Sequence, residues 1–143
     1  MESPKIRIIN PNFIEYYPIK MAKASRKKIS QSKSFVVNGS LWIESNGERF
    51  FGPGPVELLE RIEKTGSINQ AARQMEMSYK KAWEIINALN TSTGHLFVVT
   101  QTGGTSGGGS AITAEARKMI SRYRQLRESF EAFLEKETRK MNK

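Results

Sequence analysis

The chain has 143 residues, with 23 Lys plus Arg against 14 Asp plus Glu, a net charge of +9 and a pI of about 9.9. That length suits one domain with a modest core, and the cationic excess favours a polyanionic partner, nucleic acid ahead of an acidic membrane surface. With no cysteine, His95 as the sole histidine and no apolar run approaching a membrane span or a secretory h-region, the expectation is a cytoplasmic protein with no metal, no cofactor and no membrane partner.

Residues 1–34 carry Lys5, Arg7, Lys20, Lys23, Arg26, Lys27, Lys28 and Lys33 against only Glu2 and Glu15. Their apolar groups follow no period, so they read as a flexible basic arm able to grip phosphates. Met21 is an alternative start. From Phe35 the pattern turns to strands, with Asn46-Gly47 as a two-residue turn between FVVNGSLWIES and ERFF. Leu41 and Ile43 share one face and Trp42 takes the other. Gly52-Pro53-Gly54-Pro55 ends this hairpin. Val56, Leu58, Leu59 and Ile62 then form the stripe of a helix ending near Lys64, with Gly66 suited to a left-handed cap.

Residues 66–90, GSINQAARQMEMSYKKAWEIINALN, predict two short helices joined by a tight turn. Ser67 and Gln70 have the spacing of a capping box, and Ala71, Ala72 and Met75 follow at helical intervals. Glu76 and Met77 occupy the turn, and Ser78 is a second N-cap. Ala82, Ile85, Ile86 and Leu89 make one apolar stripe, which turns Lys80, Lys81, Glu84 and Asn87 outward. A docked helix whose first exposed turn carries Tyr79, Lys80 and Lys81 can enter a major groove. A solvated face on an ordinary helical hairpin would have the same pattern, and the following segment decides between the two.

That segment is HLFVVTQT, a glycine-rich loop and AIT, which is strand, loop and returning strand, the order of a wing. Its backbone amides and the hydroxyls of Thr102, Thr105, Ser106 and Ser110 are donors for a sugar-phosphate backbone, and Gly103, Gly104 and Gly107 permit close approach. A nucleotide-binding loop is the competing reading. It fails because no lysine lies between Gly94 and Ala114 and because Ala111 and Ile112 separate the glycines from the next helix.

Thr113 opens the last helix, which runs to about Lys140. Met119, Tyr123, Leu126, Phe130 and Phe133 follow at steps of four, three, four and three, the seam of a dimerisation helix. Packing of this helix on the chain's own core is the competing reading, and the dimer is favoured because three aromatic residues on an otherwise charged helix need a partner. Arg117, Lys118, Arg122, Arg124 and Arg127 occupy its other faces.

In this combination the residues resemble the N-terminal DNA-binding domain of the molybdate-responsive ModE regulators, whose winged helix-turn-helix is related to that of LysR-type regulators. The likeness rests on LWIESNGERFFGPGPVELLERIEKTG, GSINQAARQMEMSYKKAWEIINALN and TGGTSGGGSAIT, and covers roughly residues 40–134. It implies a dimer in which residues 78–90 read the major groove through Ser78, Tyr79, Lys80 and Lys81 while the wing, residues 102–109, lies along the backbone. Trp83 matches as well, in a packed role, and Gln70 is placed to touch a phosphate. Glu76 stands where the family often has glycine, which implies a strained or a differently shaped backbone in the turn. Family members continue into an oxyanion-sensing domain, and the residues of such a domain are not in this sequence.

The expected fold is therefore α+β and mainly α: a basic arm (1–34), a winged helix-turn-helix with an N-terminal β-hairpin (35–112) and a long C-terminal dimerisation helix (113–143). The expected function is sequence-specific regulation of transcription linked to molybdate or tungstate, without catalysis, with double-stranded DNA and a second copy as partners. Docking of a separate oxyanion-sensing protein is the alternative. A phosphate-ligand enzyme is a distant third, since the acid, base and nucleophile it needs are missing from the motifs.

Overall fold

The computed structural model describes residues 34–103 and 108–143. Residues 1–33 of the expected basic arm and the expected wing residues Gly104, Thr105, Ser106 and Gly107 lie outside the described residues. In chain order the elements are β1 (Ile43–Ser45), β2 (Glu48–Phe51), α1 (Pro53–Thr65), α2 (Ile68–Gln74), α3 (Tyr79–Thr93), β3 (Val98–Thr100), β4 (Ser110–Ile112) and α4 (Ala114–Met141). The described part is thus mainly helical, with two antiparallel two-stranded sheets.

Asn46 and Gly47 both take positive φ, 53° and 83°, the backbone of the turn that matches the twist of a two-residue hairpin. The β1–β2 ladder slips between Ile43 and Glu44, so that Ile43 pairs with Phe51 and Glu44 with Arg49. The bulge at this point lets Phe51 turn fully into the core while Phe50 packs at its margin. On the outer face the Arg49 guanidinium lies 3.6 Å from the centroid of the Trp42 ring, and Trp42 Nε1 donates to Glu44 Oε1 at 2.9 Å.

The first strand is shorter than the run of apolar residues predicts. Residues 35–41 form no ladder but lie as a strap along α4 in the opposite sense. Phe35 N–H donates to Asn142 Oδ1, Asn142 Nδ2 donates back to the Phe35 carbonyl, and Val37 N–H donates to Thr138 Oγ1. Side chains of α4 thereby satisfy backbone groups that a strand partner would otherwise take. At Gly39 a Cβ would lie 2.7 Å from Phe130 Cζ, so any larger residue there would require the tip of the Phe130 ring to move aside.

Pro53 begins α1 and Gly66 ends it at φ 66°, its N–H bonded to Ile62 O. The Gly66 carbonyl accepts from Ser110 N–H at 2.8 Å, which ties the loop end of the β3–β4 ladder to the corner where α1 gives way to α2. Ser67 caps α2 by accepting from Gln70 N–H, as its spacing predicts. The reciprocal half of the box is replaced, because Ser67 N–H donates to Thr65 Oγ1.

The α2–α3 turn is closed by Met77 N–H to Ala72 O and Glu76 N–H to Arg73 O, the bond pair of a Schellman termination. Its left-handed position is Glu76, at φ 55°. The strain expected from the sequence at this residue is therefore present in the backbone.

One core joins the elements: Val56, Leu58, Leu59 and Ile62 of α1, Ile68, Ala71 and Ala72 of α2, Ala82, Ile86 and Leu89 of α3, Phe51, Phe97, Val98 and Ile112 of the hairpins, and Ala116, Ile120 and Tyr123 of α4. Phe51 is its aromatic hub, 6.3 Å from the Phe97 ring and edge-on to Tyr123 at 5.7 Å. Two ion pairs between helices, Arg117–Glu63 and Arg124–Glu60, hold α4 beside α1.

Candidate nucleic-acid interface

The start of α3 is where the apolar stripe and the cap together fix which side chains face outward. Ser78 is extended at φ −69°, ψ 152°, and its Oγ accepts from Lys81 N–H at 3.1 Å. Helix therefore begins at Tyr79. With Ala82, Ile86 and Leu89 sealed in the core, Tyr79, Lys80, Lys81, Glu84 and Asn87 are all exposed, as is Gln70 near the start of α2. Ile85, expected within the buried stripe, lies at its edge and is half-buried.

The exposed residues interact in two ways. Lys81 Nζ sits 3.6 Å from Glu84 Oε2, a pair with both side chains more than half exposed, hence weak and free to exchange for another partner. Tyr79 meets Trp83 edge-on, with ring centroids 6.2 Å apart and an interplanar angle of 82°. Trp83 is half-buried against the core and also serves as the wall for Tyr79.

The β3–β4 hairpin pairs Val98 with Ile112, Val99 with Ala111 and Thr100 with Ser110. Beyond the ladder, Gln101 N–H donates to Gly109 O at 2.8 Å. A Cβ at Gly108 would lie 2.4 Å from the Gln101 carbonyl oxygen, so glycine is required there for the two ends of the loop to converge. Thr102 and Gly103 are exposed on the outgoing side. The tether from Ser110 to Gly66 was not legible in the sequence, since a main-chain bond to a helix corner leaves no residue signature.

The cations of α4 divide. Arg117 and Arg124 are engaged by Glu63 and Glu60, whereas Lys118 and Arg122 border a shallow cavity of about 90 Å³ with Thr93, His95, Glu115 and the edge of Phe97. No group of three or more His, Asp or Glu among the described residues could hold a metal. No helix among them is long and apolar enough to cross a membrane.

The expected seam of α4 also divides. Tyr123, read from the sequence as an interface residue, is only 2% exposed and belongs to the chain's own core. Heptad spacing reveals that a face is apolar but not what covers it, and here the strap and Phe51 cover this turn. Met119 packs against the same core and Phe130 lies half-buried beside Gly39, while Leu126 and Phe133 are 45% and 55% exposed.

A capped helical pair with an outward aromatic and basic turn, beside a glycine-looped hairpin, defines a candidate surface for nucleic acid. No family model matches the chain. Among known proteins it is similar to the molybdenum transport protein ModE of Azotobacter vinelandii, with 37% identity over 87 residues, 61% of this chain and 32% of that one. It is 39% identical over 74 residues to the DNA-binding transcriptional dual regulator ModE of Escherichia coli K12, covering 52% of this chain and 28% of the regulator. It is 40% identical over 81 residues to the molybdenum-pterin-binding protein MopB of Rhodobacter capsulatus, 57% and 30% of the respective chains. The chain spans about a third of the length of these relatives.

Proposed function

We propose that this chain is a sequence-specific, DNA-binding transcriptional regulator of the ModE type, linked to molybdate or tungstate and without catalytic activity. In this reading α2 and α3 are a helix-turn-helix, β3 and β4 with their glycine loop are a wing, and Leu126, Phe130 and Phe133 of α4 join two copies. The observation that supports it best is the first turn of α3, where Tyr79, Lys80 and Lys81 face solvent while Ala82 and Ile86 anchor the helix from behind. The similarity to a DNA-binding ModE regulator points the same way. Two copies would place two α3 helices on successive turns of a duplex, so the operator should be an inverted repeat. Gln70, Ser78, Asn87 and the loop residues Thr102 and Gly103 would contact backbone, and Lys80 and Lys81 phosphate or guanine.

Selection of bound fragments from random DNA, followed by mobility-shift titration over a range of salt, tests this reading. Recovery of an inverted repeat with a steep salt dependence is the expected result. A salt-insensitive isotherm, or no enrichment of any sequence, would remove it. A protein partner that survives nuclease treatment, in the absence of DNA retardation, would favour docking of a separate sensor protein instead.

A further inference from the structure

We infer that Tyr79 is the base-discriminating residue of α3, setting its ring against the C5-methyl group of thymine, and that Trp83 is its positioning residue. This rests on the reading of α3 as the recognition helix. Tyr79 is the first residue of α3, and the first turn of a docked helix is the part that reaches base edges. The residue is 52% exposed, so an aromatic side chain stands at the surface of the first turn.

The ring is also held. Trp83, one turn along, meets it at 82°, and Trp83 itself packs against the core that contains Ala82 and Ile86. An aromatic side chain has two rotatable bonds, so one firm contact leaves it little freedom to lose on binding. Its neighbours are of a different kind. Lys80 and Lys81 are long, flexible point charges, suited to phosphates, and Lys81 is drawn towards Glu84. The Ser78 hydroxyl accepts the cap bond and keeps only a polar O–H to offer, which suits a phosphate oxygen and not an apolar group. Tyr79 is thus the rigid apolar member of the first turn, and thymine is the base that displays an apolar group in the major groove.

The experiment uses the full chain and the operator recovered by selection. Each thymine is replaced by deoxyuridine, symmetrically in both half-sites, and the Kd is measured at fixed salt. At one thymine per half-site, loss of the methyl group should weaken the wild type about fourfold per half-site, the equivalent of one buried methyl group. Tyr79→Ala should abolish that sensitivity and Tyr79→Phe should keep it. Trp83→Leu, which keeps apolar bulk against the core but removes the edge contact, should lose it, and Trp83→Phe should restore it, with thermal melting confirming that each variant folds. Indifference of the wild type to every replacement, or a methyl preference that persists in Tyr79→Ala, overturns the role of Tyr79. Persistence in Trp83→Leu overturns the role of Trp83. Failure to recover any operator would instead remove the reading of α3 itself.

Discussion

The Tyr123 hydroxyl donates a 2.8 Å hydrogen bond to the carbonyl oxygen of Leu41, a contact across 82 positions that pins the end of the strap to the middle of α4. Leu41 packs against the core at the point where the chain turns into the first hairpin, so this bond joins the strap, the hairpin and the last helix. Tyr123→Phe should cost about 1 kcal/mol, the net value of one such bond with its acceptor left in place. Tyr123→Ala, which also empties the space beside Phe51, should cost about 3 to 5 kcal/mol. Urea unfolding measures both, and equal losses for the two substitutions would contradict the assignment.

Glu76 holds a left-handed conformation inside a Schellman termination, at φ 55°. A side chain there costs about 1 kcal/mol that glycine does not incur. Glu76→Gly should therefore raise the melting temperature by about 4 °C or more, since the turn geometry is already the one glycine prefers. A lower melting point would mean that the Glu76 side chain contributes more than its backbone costs.

Leu126 and Phe133 are exposed on the single chain, whereas Tyr123 is not. On the proposed joining of two copies through α4, Leu126→Glu together with Phe133→Glu should convert the dimer to a monomer in analytical ultracentrifugation and leave the helical circular dichroism and melting of the single chain largely unchanged. If the pair unfolds the protein, or leaves the sedimentation coefficient as it was, α4 does not join two copies in this way.

Lys80→Ala with Lys81→Ala should reduce affinity for all sequences and lower the salt slope by about 1 for each lysine that meets a phosphate. Relaxed base preference with an unchanged slope would mean instead that these lysines read guanine. Of the net charge of +9, eight basic and two acidic residues in residues 1–33 account for +6. The double substitution should therefore leave a substantial salt dependence behind.

Much was legible in the residues because it is local. Ser67, Ser78 and Thr113 act as caps through their own hydroxyls, Asn46-Gly47 and Gly66 adopt the positive φ their chemistry allows, and the stripes Val56 to Ile62 and Ala82 to Leu89 follow one helical period. Each is settled within about one turn of chain, so the amino-acid order by itself determined the helices, their N-terminal caps and the outward turn of Tyr79, Lys80 and Lys81. The end of α3 is not among them, since the helix runs past the expected stop at Asn90 through Thr93 to a left-handed cap at Gly94. Tertiary structure alone decided what covers each apolar surface. It took Tyr123 out of the α4 seam and into the core, laid residues 35–41 on α4 instead of in a sheet, and bound Ser110 to Gly66. Periodicity records that a face avoids water, but which neighbour removes the water depends on contacts up to a hundred residues apart, which no local pattern encodes.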